Sequence, residues 1–525
     1  MALNLNIPAL KDNPNIIAEI RPQKINISLR DHIAKNPLDI AAHIHSELEI
    51  LNRQKVSPSN RMQALDAYRP LLISTTELLA NDYSNAALPL HDKAQLAAAA
   101  NESLWLELGY GYKLVLIDLQ NQLIKLGTDK SSANAIQRAM HAVAEHALTY
   151  YQTYSTPPEH IWSDLHQLYF CAIKLGVQNV KVDEEKSVTV STTIAANTIE
   201  NTYKHALLMS LADPQHLTQR NMRLAAEYLA FHVENAKISV VAPLEITTSC
   251  FVVNLTSNKP PVPYAKLKTA PNPDCDILLQ TLDLVIAIHQ DLSSLQNNQL
   301  PKDGGIPANS NRDEYIDLLT YLIKHWGVTQ KRIYNRTKTE GVIEIVTGIS
   351  AIHYLSNVNS GAAKNPAMVA TQFNAEQIPQ PSPWQIINIS AIGMSIRRLP
   401  VAEKNIRIGA LLGFKRPDEA DWSIGLVRWA ACGSKGKLDI GVQLIAPRAQ
   451  SAVARIGKSD REELVLLLPE IIAVKQLASI IARVGTFQPA RHLAVTYNNN
   501  TRTIMLTKVV ERSHQFERIQ YSVID

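Results

Sequence analysis

The sequence predicts an α+β multidomain protein: an N-terminal α-helical region of stacked hairpins, a six-stranded antiparallel β-barrel, and a small C-terminal β unit. Three observations predict it. From about Asn36 to Ala236 apolar residues recur every three or four positions, the period of one buried helix face. After Gly341 the period changes to two, as in strands with one buried side. The 525 residues are enough for three or four domains at about 150 residues each.

The helical elements follow in order. Ile40, Ile44, Leu48 and Leu51 mark one helix. Arg61 to Ala80 carries Leu65, Tyr68, Leu72 and Leu79, with Pro70 expected to kink or split it. Further helices are expected near His91 to Leu126, Ser132 to Tyr154, Pro158 to Leu175, Val190 to Leu211 and Gln215 to Ala236. Ser57-Pro58 and Thr156-Pro157-Pro158 put proline near a first turn, where its missing N–H costs little. No fixed repeat period emerges, although Ile161 to Ala172 has the look of a tetratricopeptide-type first helix. Val240 to Leu255 reads as a short β excursion, Pro260 to Pro263 as a stiff connector and Cys275 to Leu295 as a helix. Gln296 to Asn311 is rich in turn formers and is the clearest linker; the helix Asp313 to Trp326 then leads into the β half.

Six barrel strands are expected: Gly341 to Thr347, Trp384 to Ile389, Gly393 to Arg397, Ile408 to Phe414, Trp422 to Trp429 and Lys437 to Leu444. In the last stretch His492 to Tyr497 and Arg502 to Val510 flank Asn498-Asn499-Asn500, a hairpin turn. The domains so drawn are residues 1–236, 237–311, 312–455 and 456–525.

Composition excludes several classes. Hydrophobic residues make up 46% and charged residues 19%, a globular chain and not a disordered one. A net charge of +4 rules out a wholesale basic coat, so no nucleic-acid polymer is expected as partner. No run approaches the ~20 apolar residues of a membrane span, and the N-terminus lacks the features of a signal peptide. Cys171, Cys250, Cys275 and Cys432 are scattered, without CxxC or zinc spacing, which suits a reducing cytoplasm. There is no GxxxxGK[ST], GxSxG, HExxH or GxGxxG motif. His43 and His45, or His141 and His146, are poorly spaced to share a metal. Neither an enzyme, a metal nor a resident cofactor is expected.

One constellation remains. Lys331-Arg332-Ile-Tyr-Asn-Arg336 sets two arginines four apart just ahead of the first barrel strand. Each guanidinium is a planar fork of donors matching phosphate oxygens or a guanine O6/N7 edge. Asn388-Ile-Ser390-Ala-Ile-Gly393 lies at the turn between the second and third strands. A short Asn and Ser there can hydrogen-bond a base or sugar edge, and Gly393 permits a sharp turn or a close approach. Taken with Gly425 to Trp429 and Ile440 to Gln443 as later strands, the region Thr329 to Ala454 resembles a PilZ domain, the bacterial receptor module for cyclic di-GMP. The family signature is RxxxR before a six-stranded barrel, then [DN]xSxxG on it. By that resemblance Arg332 and Arg336 would wrap the dinucleotide, Asn388 and Ser390 would bind guanine, and Lys331 would tune how many ligands bind. Asn388 stands where Asp is more usual, and Ile349 to Pro383 looks like an insertion after the first strand. The function implied is a cyclic di-GMP receptor whose helical region passes the signal to a protein partner. The alternative is a ligand-free PilZ-like adaptor in a pilus, secretion or polysaccharide assembly. The oligomeric state is left open.

Overall fold

The computed structural model describes residues 3–11, 16–30, 36–121, 128–182, 198–242, 248–301, 304–328, 335–359, 378–400, 402, 405–433, 436–456, 462–472 and 475–524. Two compact units emerge: Met1–Ala86 with Leu90–Lys331, and Ala87–Pro89 with Arg332–Asp525.

The first unit opens with α1 (Pro22–Arg30), α2 (Pro37–Asn52), α3 (Pro58–Tyr83), α4 (Asp92–Gln120), α5 (Thr128–Gln152), α6 (Glu159–Leu175), α7 (Ile199–Leu211) and α8 (Gln219–His232). Successive helices α3 to α6 pack each on the next. Ile40, Ile44, Leu48 and Leu51 line the buried face of α2, as their spacing predicts. Ser57 caps α3 by accepting from the Asn60 amide, with Pro58 in the first turn. Pro70 does not split α3: the helix runs through it. Leu65, Tyr68, Leu72, Ile73 and Leu79 are all buried. At roughly 1.5–3 kcal/mol each, their burial outweighs the ~3 kcal/mol of an internal proline. The helix expected from Val190 is described from Ile199; residues 183–197 lie outside the described residues.

A four-stranded sheet follows, in the order β1 (Lys237–Val240), β4 (Asp276–Gln280), β2 (Cys250–Asn254), β3 (Val262–Pro263). Here the expected helix from Cys275 is wrong at its start. Asp276–Gln280 is a strand between two neighbours, and only Leu282–Gln296 is helix, α9. Ile277, Leu278 and Leu279 are all buried, and such a continuous apolar run carries no period that separates strand from helix. Gln296 to Asn311 is not a link between domains either. It joins α9 to α10 (Arg312–Gly327), and both helices belong to the first unit. Trp326 anchors α10 there: its Nε1 donates to the Leu208 carbonyl at 3.0 Å, and its carbonyl accepts from Thr281 Oγ1 at 2.5 Å. Turn-forming composition reports irregular backbone, not what packs on either side of it.

In the second unit, β6 (Val342–Thr347), β7 (Ser382–Ser390), β8 (Gly393–Arg398), β9 (Leu411–Lys415), β10 (Ser423–Cys432) and β11 (Leu438–Ala446) pair in the order β7-β6-β9-β10-β11-β8. Pairing of β7 with β8 closes this ring, the expected six-stranded antiparallel barrel. A two-residue strand, β5 (Thr337–Lys338), adds to β7 from outside the ring. The C-terminal unit is a second closed barrel of β12 (Gln450–Ile456), β13 (Glu462–Leu468), β14 (Ser479–Ala482), β15 (His492–Tyr497), β16 (Asn500–Arg512) and β17 (Glu517–Val523). Asn498 and Asn499 make its hairpin turn with φ of 48° and 63°, the left-handed pair that this turn needs. The boundary drawn after residue 455 falls inside β12, which pairs only within the C-terminal barrel.

Between β6 and β7 the chain forms α11 (Ile349–Asn359), the helix expected at the start of the insertion; residues 360–377 lie outside the described residues. Ile352 of α11 is buried with Val346, Leu411, Trp422 and Ile424 of the first barrel and Leu466, Leu468, Ile481 and Phe516 of the second. The two barrels therefore share a hydrophobic core.

Candidate ligand-binding site

Strand β7 organises the site. Its first half pairs with β6, from Ser382↔Ile345 to Gln385↔Val342. Its second half pairs with β5, Asn388↔Lys338 and Ile389↔Thr337. Arg336 directly precedes β5, and Ser390 directly follows Ile389, the partner of Thr337. The other edge of β7 pairs with β8, with a bulge between Ile386 and Asn388. A bulge adds one residue to one strand and re-aims the side chains beyond it.

Sidedness comes from burial. Ile386, Ile396 and Ile440 are paired across β7, β8 and β11 and lie in the barrel interior. Successive strand residues alternate faces. The adjacent row, Lys338, Asn388, Ser395, Gly441 and Trp429, therefore lies on the outer face of β5, β7, β8, β11 and β10. Among the described residues nothing hydrogen-bonds the Asn388 side chain, and neither Arg336 nor Lys338, both exposed, has an ion pair. Arg397, one row away, is committed: Nε and Nη2 donate to the two Asp439 carboxylate oxygens at 2.7 and 2.9 Å. That bidentate contact raises its pKa.

The turn at Ser390 is built by its own residues. Ser390 Oγ donates to the Gly393 carbonyl at 3.0 Å. A Cβ on Gly393 would collide with the Val442 carbonyl oxygen of β11, so the glycine lets β8 and β11 approach. Its bareness serves that contact. A Cβ on Gly441 would meet the Trp429 indole, which lies over it.

Family models match the chain in three consecutive parts. They are the N-terminal domain of the cyclic-di-GMP receptor FimW over residues 25–243, its middle PilZ domain over 250–362 and 356–451, and its C-terminal β-barrel domain over 450–524. The chain contains a PilZ domain. The cyclic-di-GMP receptor FimW of Pseudomonas aeruginosa is 22% identical over 586 aligned residues, covering 99% of this chain and 93% of the relative.

Of the expected site residues, strands β7 and β8 carry Asn388, Ser390 and Gly393, and Arg336 directly precedes β5; Lys331 and Arg332 lie outside the described residues. Lys338 and Trp429 were not singled out from sequence. The small Gly441 opposite Trp429 is the signal that could have found the second, since a bare residue across from an indole marks a ring lying flat. Gln443 is another. It faces Gly393 in the ladder and accepts from Arg428 Nε at 2.6 Å, while Arg428 Nη1 meets Glu511 of β16 at 2.5 Å. Among the described residues no group of three His, Cys, Asp or Glu could hold a metal.

Proposed function

We propose that the chain is a receptor for cyclic di-GMP, bound on the outer face of the PilZ barrel, and that the helical unit relays binding to a protein partner. The observation that supports the reading is the pairing of β5 on β7, Thr337↔Ile389 and Lys338↔Asn388, directly after Arg336 in the chain. In this reading Arg332 and Arg336 take the phosphates and guanine edges, and Lys331 sets ligand number. Asn388 reads a guanine edge through its amide, with one acceptor oxygen and an NH2 donor. Ser390, whose proton already goes to Gly393, accepts from a guanine N–H with a free lone pair. Trp429 offers an aromatic face for a purine.

Hydrogen bonds to charged groups contribute roughly 1.5–3 kcal/mol each. Two arginines making about two such bonds each reach the ~8 kcal/mol of micromolar affinity once ordering costs are subtracted. The activity proposed is ligand sensing, not catalysis. Its proposed compartment is the cytoplasm, in keeping with four free cysteines. Among the described residues no helix is long and apolar enough to cross a membrane.

Calorimetric titration with cyclic di-GMP, with GTP as control, tests the reading. Saturable binding that disappears in Arg332→Ala/Arg336→Ala is expected, and the stoichiometry separates one ligand from an intercalated pair. Absence of heat with the wild-type chain would leave a ligand-free adaptor, the reading that the uncharged Asn388 favours.

A further inference from the structure

The segment ahead of α1 lies on the helical unit without joining any helix or sheet. Residues 3–11 and 17–21 are irregular, and side chains of the helices grip their main chain. Gln167 of α6 brackets Asn4: its Oε1 accepts from the Asn4 N–H at 2.8 Å and its Nε2 donates to the Asn4 carbonyl at 3.0 Å. Asp164, one helical turn earlier, accepts from the Asn6 N–H at 2.9 Å. Leu5, between them, is buried. Gln54, just beyond α2, repeats the amide grip, accepting from the Ala18 N–H at 3.1 Å and donating to the Ile16 carbonyl at 2.6 Å.

Part of the seat is also held from within the helical unit. Asp164 is fully buried and held by Lys113 Nζ of α4 at 2.7 Å. The main-chain carbonyl of Gln54 accepts from Arg61 Nη2 at 2.6 Å. The N-terminal domain match begins at residue 25, after the arm. The arm itself buries little: Leu5 and Ala18 are inside, whereas Leu10 is 43%, Ile16 63% and Ile17 85% exposed. Side-chain amides that bracket a main-chain N–H and C=O read an extended backbone and tolerate many sequences. Specificity comes from the pocket that takes one side chain between the bracketed residues.

We propose that the α4–α6 face is a docking groove for an extended peptide, filled in cis by residues 3–6. The partner it fits is a protein segment presenting a leucine-sized apolar residue between two free main-chain amides, in competition with the arm. This inference stands apart from cyclic di-GMP binding.

The test uses the full chain and a fluorescent peptide of residues 3–11. Asn6→Pro removes the N–H that Asp164 accepts and releases the arm. Anisotropy should show saturable peptide binding to Asn6→Pro at least roughly tenfold tighter than to wild type, whose groove is occupied most of the time. Adding Gln167→Ala should abolish it. Equal binding to both chains, binding to neither, or indifference to Gln167→Ala would overturn the proposal. Hydrogen exchange on the wild-type chain gives an independent reading should Asn6→Pro fail to fold. The Asn4 and Asn6 amides should open while α4 and α6 stay protected; exchange only together with the helices would make the arm part of the core and sink the idea.

Discussion

Gly393 shows how a residue can belong to a ligand motif and still owe its identity to packing. Its missing side chain makes room for the Val442 carbonyl, and that carbonyl cannot retreat without loosening the β8–β11 ladder. Gly393→Ala should therefore destabilise by about 1–3 kcal/mol, the range for overpacking. The urea midpoint should fall with an unchanged m-value; an unmoved midpoint would contradict the close approach. Asn388 answers to the ligand instead, because no described residue bonds its side chain. Asn388→Asp would supply two acceptor oxygens to a guanine N–H pair. It should tighten cyclic di-GMP binding several-fold, by about 1 kcal/mol, in the same titration. The spacing of Asn388, Ser390 and Gly393 was legible in the sequence. The reason for Gly393 was not, since the strand it touches lies some fifty residues on along the chain and only pairing brings it near.

Elements were legible where one face is buried. The six barrel strands are found near where the sequence predicts them, β9, which is buried continuously from Leu411 to Phe414, being somewhat shorter. Strand β4 hid because both its faces are covered, and α3 ran on because its packing outweighs Pro70. The helix α11 could be expected, but not where it packs. Its His353 is buried and bonded as a neutral ring: Nε2–H donates to the Ala452 carbonyl of β12 at 3.1 Å, and Nδ1 accepts from Asn357 Nδ2 at 3.4 Å. Burial lowers its pKa from 6.5 to about 4. The unfolded chain then takes up this proton first, so stability is fully present above pH 6.5 and drains away as pH falls toward 4. The shift corresponds to about 3 kcal/mol. Denaturant melts between pH 8 and pH 5 should show the loss, and His353→Gln, which keeps a donor for Ala452 but does not titrate, should lessen it, leaving the share of other buried histidines such as His146 and His166. An equal slope in the variant would place the acid sensitivity elsewhere.

At the scale of the molecule, the sequence pattern suggested a barrel followed by a separate small unit, and the shared core is what it could not show. Ile352, Trp422 and Phe516 come from three distant stretches of chain and are buried in one cluster. The two barrels should accordingly melt in one calorimetric transition. Deleting residues 450–525 should leave a middle barrel that binds a hydrophobic dye and aggregates; a well-folded, monomeric truncation would refute the common core. A lineage view gives α11 a further meaning. The helix and the C-terminal barrel are separated along the chain, yet each covers apolar surface that the other needs. A PilZ barrel that gained one without the other would carry an uncovered hydrophobic face, so across relatives the two should be gained and lost together, as a single heritable part written in two places.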